Sequence, residues 1–166
     1  MVDSVIESWR GASDRERLLK VIQPGLIGLI DGTVSTLAPI FAAAYLAGSR
    51  AALLVGLAAA LGAAISMGLS EALSDDGSLT GRGTSAFRGL ITGVATFVGG
   101  TAHALPFLIN DLDTALPIAY TVVSAELVAI AWVRKRFLQV ALSRSLIQVT
   151  LGGAVVATVG VLVGQA

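Results

Sequence analysis

The chain has 166 residues, of which 55% are apolar and 13% charged, with no net formal charge and no cysteine. A soluble domain carries about 25% charged residues, so this chain lacks the polar surface of a dissolved globule, and it lacks the basic excess of a nucleic-acid binder. Without cysteine there is no disulfide framework, thiolate metal site or cysteine nucleophile, and the composition that remains is that of an integral membrane protein.

Residues 1–20 hold an unusual share of the charge: Asp3, Glu7, Arg10, Asp14, Arg15, Glu16, Arg17 and Lys20. Val2, Val5, Ile6 and Trp9 fall at i, i+3, i+4 and i+7, one face of a helix, and Trp9 suits a membrane–water interface. There is no apolar stretch of the kind a signal peptide needs. Ser13 with Glu16 three residues on forms a capping box that starts a second helical stretch. The segment therefore reads as a cytoplasmic amphipathic leader, either simply solvated or a regulatory or metal-sensing arm. Pro24 suits a bend or a first-turn position where the chain enters the membrane.

The membrane domain, residues 21–166, contains five apolar runs at about 21–47, 51–73, 89–109, 114–133 and 145–165. Each reaches the roughly 20 residues needed to cross a bilayer core, which predicts an all-α protein of five transmembrane helices. The breaks at 48–50 and 110–113 have room only for tight turns, so their flanking helices should be antiparallel neighbours. Ten of the eleven Lys and Arg residues fall in the first, third and fifth polar segments, and Arg50 stands alone on the other side. The positive-inside rule then puts the N-terminus in the cytoplasm and the C-terminus outside. Gly25, Gly28 and Gly32, with the pairs Gly89/Gly93 and Gly160/Gly164, form small-residue stripes that let helices approach closely in lipid. A dimer seam is one special case of such contacts.

Ionisable groups inside a span cost about 2.5–3.5 kcal/mol each at the bilayer centre and default to functional hypotheses. At about 1.5 Å per residue from the cytoplasmic end of each span, Glu71 lies roughly 3 Å deep, Met67 about 9 Å, Glu126 about 10 Å, Asp31 about 15 Å and His103 about 21 Å. Carboxylate oxygens bind divalent cations, and a softer imidazole or thioether suits ferrous iron better than magnesium or calcium. A carboxylate in low dielectric can exchange a proton for a metal ion near neutral pH. Stepped groups of this kind are what a cation–proton antiporter needs. Plain alternatives exist: Glu71 as a solvated interfacial residue, Met67 as core filler, His103 bonded to a backbone carbonyl, Glu126 as a satisfied packing partner. Asp31 has the weakest plain explanation. It lies between Gly28 and Gly32 beside Thr33, Ser35 and Thr36, and Pro39 further along can free carbonyls to line a cavity.

The run Asp31-Gly32-Thr33-Val34-Ser35-Thr36 resembles the first-helix motif of the vacuolar iron transporter family. Residues 62–74, a small-residue run followed by Ser66-Met67 and then Glu71, resemble its second-helix motif. The similarity is closer to the transporter domain of bacterial membrane-bound ferritins, where the following run, Ser74-Asp75-Asp76-Gly77-Ser78-Leu79-Thr80-Gly81-Arg82-Gly83, also has a counterpart. The resemblance spans Gln23 to the C-terminus and is most specific in the first two spans and the loop after them.

That resemblance implies a homodimer in the bacterial inner membrane, with the path between subunits. It implies export of ferrous iron or manganese in exchange for protons, with Asp31, Met67 and Glu71 as metal ligands and no permanently bound cofactor. Glu126 and His103 rest on depth alone, as lesser members of the polar path. Two departures stand out. The loop at 74–88 is far shorter than the glutamate-rich metal-collecting domain of plant and fungal members, and Ser70 and Ala72 replace their Gly and Tyr. Capture is then expected from Asp75 and Asp76, from a separate iron-storage or ferritin-like partner, or from a domain outside this sequence.

The expected function is a proton-coupled exporter in which metal passes Glu71 and Met67 to Asp31 at a dimer seam. The alternative is a non-transporting membrane anchor or docking module for an iron-storage partner. Catalysis is not expected, since the chain has no HExxH metal motif and no GxSxG elbow. The expected partners are lipid, divalent metal ions and a second copy of the chain.

Overall fold

The computed structural model describes residues 14–78 and 80–166. The amphipathic face of Val2, Val5, Ile6 and Trp9, and the Ser13 half of the capping box, lie outside the described residues. Those described form five long helices and no strand: α1 (Gln23–Ala47), α2 (Ser49–Ser74), α3 (Ser85–Ala102), α4 (Leu112–Leu138) and α5 (Leu142–Gln165).

Helical structure begins at Asp14 and continues through a single π turn, Leu18–Ile22, into α1. The π turn has a local cause. Pro24 has no backbone N–H and its ring crowds the preceding turn, and directly before it the Gln23 N–H reaches back five residues to the Leu18 carbonyl. That wider turn makes room for the ring. Further along α1, Pro39 lies within continuous helix and leaves the Ser35 carbonyl without its usual intrahelical donor. Gly48 alone joins α1 to α2, at φ +83°, a conformation glycine adopts without a Cβ clash.

Four stretches are long and apolar enough to cross a membrane: Asp14–Ala47, α2, α4 and α5. The third helix is shorter, 18 residues, and buries Arg88, Thr92 and Thr96. The third apolar run is thus divided. Helix α3 stops at Ala102, and the chain continues through a 3-10 turn at Leu105–Leu108 before α4 begins. The expected tight turn at 110–113 is replaced by a longer connection over 103–111, and α3 and α4 make little direct contact. The physical reason is Pro106, which lacks an N–H to continue α3 and instead sits at the start of the 3-10 turn.

Helix α1 is the central post. Its Gly28 and Gly32 face the Thr92 and Thr96 carbonyls of α3 so closely that a Cβ at either would overlap them. On another side Ala38 and Ala42 receive Gly160 and Gly164 of α5, and Ile40 packs on Gly56 of α2. The pair Gly89 and Gly93 of α3 closes on Gly68 and Ala64 of α2. Every small-residue stripe noted in the sequence is therefore occupied within one chain, apart from Gly25, whose contact with Ile91 is an ordinary one. Leu37, Ile40, Phe41, Phe107 and Ile130 fill the centre.

Burial is inverted relative to a soluble protein. Thr33, Thr36, Thr92, Thr96, Arg88 and His103 are buried, whereas Leu61, Leu69, Leu90, Leu151, Val155 and Leu162 are more than half exposed.

Candidate functional site

Between α2 and α5, with α1 as its floor, runs a groove of about 660 Å³. Asp31 and Ser35 rise from the floor, Met67 from α2, and Arg134 and Gln148 from the ends of α4 and α5; Ile27, Ile30, Val34 and Val149 make the rest of the wall apolar. The Arg134 guanidinium donates to the Gln148 side-chain carbonyl at 3.0 Å. Asp31 sits about 60° from Gly28 and about 100° from Gly32 around α1, at 100° per residue, to one side of the glycine stripe. The glycine side is used by α3, and the aspartate side stays open.

Glu71, one turn beyond Met67, does not line this groove. Its Oε1 accepts from Arg88 Nε at 2.8 Å and lies 3.0 Å from Arg82 Nη2. Arg88 is fully buried and also donates to the Gly83 carbonyl at 2.7 Å and the Asp75 carbonyl at 2.5 Å. Positive-inside counting treated Arg88 as a loop charge. The structure instead places it in the first turn of α3, where it ties α2, α3 and the intervening loop together. Its signal was in the sequence all the same: an arginine at a helix start and a glutamate at a helix end flank one short loop.

The loop acids are likewise committed. Asp75 accepts from the Thr80 hydroxyl at 2.6 Å and the Gly77 N–H at 2.8 Å. These two bonds, helped by Arg88 and Arg82, hold its carboxyl below the usual carboxylate range. Asp76 accepts from the Ser78 N–H at 2.8 Å, and its carboxyl is lowered first by that bond and then by the Ser78 hydroxyl. Both are turn-forming aspartates of the familiar type that bond a backbone N–H two residues on.

His103 and Glu126, placed by linear counting about 11 Å apart in depth, are in contact. His103 Nδ1 lies 2.8 Å from Glu126 Oε2, and Nε2 lies 2.9 Å from Thr36 Oγ1. Counting failed because it took Gly89 and Val133 as level span ends, whereas α3 begins at Ser85 and α4 runs on to Leu138. Helix α3 ends at Ala102 with His103 as its cap, and α4 is 27 residues long, so the end of one meets the middle of the other.

The three residues expected as metal ligands therefore do not gather. Asp31 and Met67 share a groove, and Glu71 is held by two arginines outside it. Among the described residues, no three His, Asp or Glu side chains come together to hold a metal ion. Comparison with known protein families, curated proteins and solved structures finds no match for this chain, so its function is to be argued from this geometry and from the sequence motifs.

Proposed function

We propose that the chain is a proton-coupled exporter of ferrous iron and/or manganese, working as a homodimer in a bacterial inner membrane with its N-terminus cytoplasmic. The observation that carries this reading is the Asp31 carboxylate and the Met67 thioether on the walls of one otherwise largely apolar groove. A carboxylate with a soft thioether suits a borderline divalent cation over magnesium or calcium. An acid among apolar walls is costly unless it serves a transported ion. The inverted burial supports a lipid environment, as does the set of four helices long enough to span one. Two ligands are too few for a cation, and a second copy facing the open groove would double them.

The test is uptake of Fe²⁺ or Mn²⁺ into inverted proteoliposomes, with and without a pH gradient. Asp31→Asn is expected to abolish metal flux while the protein still inserts. Full transport by that variant would remove Asp31 from the path.

A second reading has one observation in its favour: Glu71 is paired to Arg82 and Arg88 rather than free to meet a metal. On this reading the chain is a membrane anchor that docks an iron-storage partner. It predicts no flux from the wild-type protein and stable co-purification with that partner.

A further inference from the structure

The hydrogen bonds around His103, the only histidine in the chain, admit two arrangements that differ by one proton. Thr36 Oγ1 lies 2.7 Å from the Gly32 carbonyl oxygen and 2.9 Å from His103 Nε2. A carbonyl only accepts, so in the first arrangement the single hydroxyl hydrogen of Thr36 goes to Gly32. Thr36 must then accept from His103, which places a hydrogen on Nε2. On the other side, 2.8 Å separates Nδ1 from Glu126 Oε2. Two lone pairs do not approach to that distance, so a proton lies between them. With Nε2 already protonated, the pair is either imidazolium and carboxylate or neutral imidazole and carboxylic acid. Both hold one proton more than neutral histidine with ionised glutamate.

In the second arrangement, one proton fewer, Thr36 Oγ1 backs away from the Gly32 carbonyl. The Thr36 hydroxyl turns from Gly32 to donate to Nε2, the imidazole carries its hydrogen on Nδ1, and Nδ1–H donates to the Glu126 carboxylate. One proton is lost, Nε2 gives up its hydrogen, and the Gly32 carbonyl loses its side-chain donor. A threonine bonded back to the carbonyl four residues earlier bends a helix slightly. Gaining or losing the proton therefore makes or breaks a helix-bending bond on α1 beside Asp31.

Among the described residues, Glu126 has no ionic partner but His103. On the packed elements, Glu71 of α2 is bonded to Arg88 of α3, Tyr45 of α1 to Tyr120 of α4, and Arg134 of α4 to Gln148 of α5. Asp31 lines the groove. His103 is fully buried, while the Glu126 side chain keeps 13% of its surface exposed.

We propose that Thr36, His103 and Glu126 form a dedicated one-proton binding site, separate from the metal groove, whose occupancy is transmitted to α1 at Gly32. Its role as the coupling site for transport rests on the exporter reading above; its existence as a proton site does not.

The test has two arms on the full chain in liposomes. In the first, ¹⁵N-histidine labelling gives one signal set, from His103, which is followed against pH. A single-proton transition is expected, from a form protonated at Nε2 to a neutral form protonated at Nδ1. The same tautomer at both ends of the range overturns the site. In the second arm, metal flux is measured with and without a pH gradient. In Glu126→Gln the two rates are expected to become equal with flux retained, and His103→Asn carries the same expectation should the first variant fail to insert. Wild-type gradient dependence in either variant overturns the coupling role. Absence of flux in the wild-type protein overturns the exporter reading alone, and the histidine signal still decides the proton site.

Discussion

Replacing Arg88 with methionine removes a fully buried cation that makes three hydrogen bonds: to Glu71 Oε1 at 2.8 Å, to the Gly83 carbonyl at 2.7 Å and to the Asp75 carbonyl at 2.5 Å. A hydrogen bond to a charged group contributes about 1.5–3 kcal/mol, so three set an additive upper bound of about 5–9 kcal/mol. Two features reduce it. Glu71 keeps Arg82 at 3.0 Å, and the two carbonyls belong to half-buried loop residues that water can reach. The expected loss is about 3–5 kcal/mol, the usual cost of breaking a buried ion pair from one side. Arg88→Lys keeps the charge but loses the planar fork that reaches three acceptors at once, and should lose about half as much. Helix content measured against the SDS fraction of mixed micelles gives the unfolding free energy. A double-mutant cycle with Glu71→Gln should return a coupling of about 1–3 kcal/mol. An Arg88→Met variant within about 1 kcal/mol of wild type, with no coupling to Glu71, would refute the assignment of this arginine as the tie between α2, α3 and their loop.

Two further outcomes follow from the same contacts. Gly32→Ala forces a methyl group into the Thr96 carbonyl and should destabilise by about 1–3 kcal/mol, as overpacking does. Gly62→Ala meets nothing within 4 Å and should be neutral or up to about 1 kcal/mol stabilising, since alanine is the better helix former; equal effects at both positions would contradict the close approach of α1 to α3. The Asp75 carboxyl is held below its ordinary value by Thr80 and Gly77. Its contribution to loop order is therefore complete above the unfolded value of about 3.9 and is lost as pH falls through the lower folded value. Amide exchange at Gly77, whose N–H is bonded to Asp75, should stay slow from neutral pH down to about 4 and quicken below that, with Thr80→Ala moving the onset upward. Loosening already at pH 6 would be inconsistent with these bonds.

The helices were legible because apolar runs of this length have few other solutions; three of their breaks, at Gly48, 75–84 and 139–141, fall within the polar segments between those runs, although Arg134, Lys135, Arg136 and Arg144 lie on helices rather than in the last break. The glycine stripes were legible for a similar reason, since a missing side chain has a direct steric meaning. Depth was not. Counting residues from a span end assumes that the ends lie level where the apolar runs stop, and the facing ends of α3 and α4 fall instead at Ser85 and Leu138. That single assumption separated His103 from Glu126 and concealed the Thr36–His103–Glu126 cluster. Glu71 was visible as an intramembrane carboxylate, but its partners were not, because Arg82 and Arg88 were counted as charges of the water phase. Asp31 and Met67 came out on one groove because each lies on the side of its helix that the small-residue contacts leave free.

Helix α1 is gripped on three sides, by α2 at Ile40, by α3 at Gly28 and Gly32, and by α5 at Ala38 and Ala42. Close backbone contacts of this kind hold their register, because sliding by one residue drives a Cβ-bearing position into a carbonyl. Such a helix cannot act as a piston or rotate alone. Should Asp31 be offered alternately to the two sides of a membrane, α1, α2, α3 and the second half of α5 must travel as one rigid block. The movable boundary would then lie along the open side of the groove, where Arg134 of α4 and Gln148 in the first half of α5 face Asp31. A cross-link between α1 and α3 should leave transport intact, whereas one spanning the groove should arrest it.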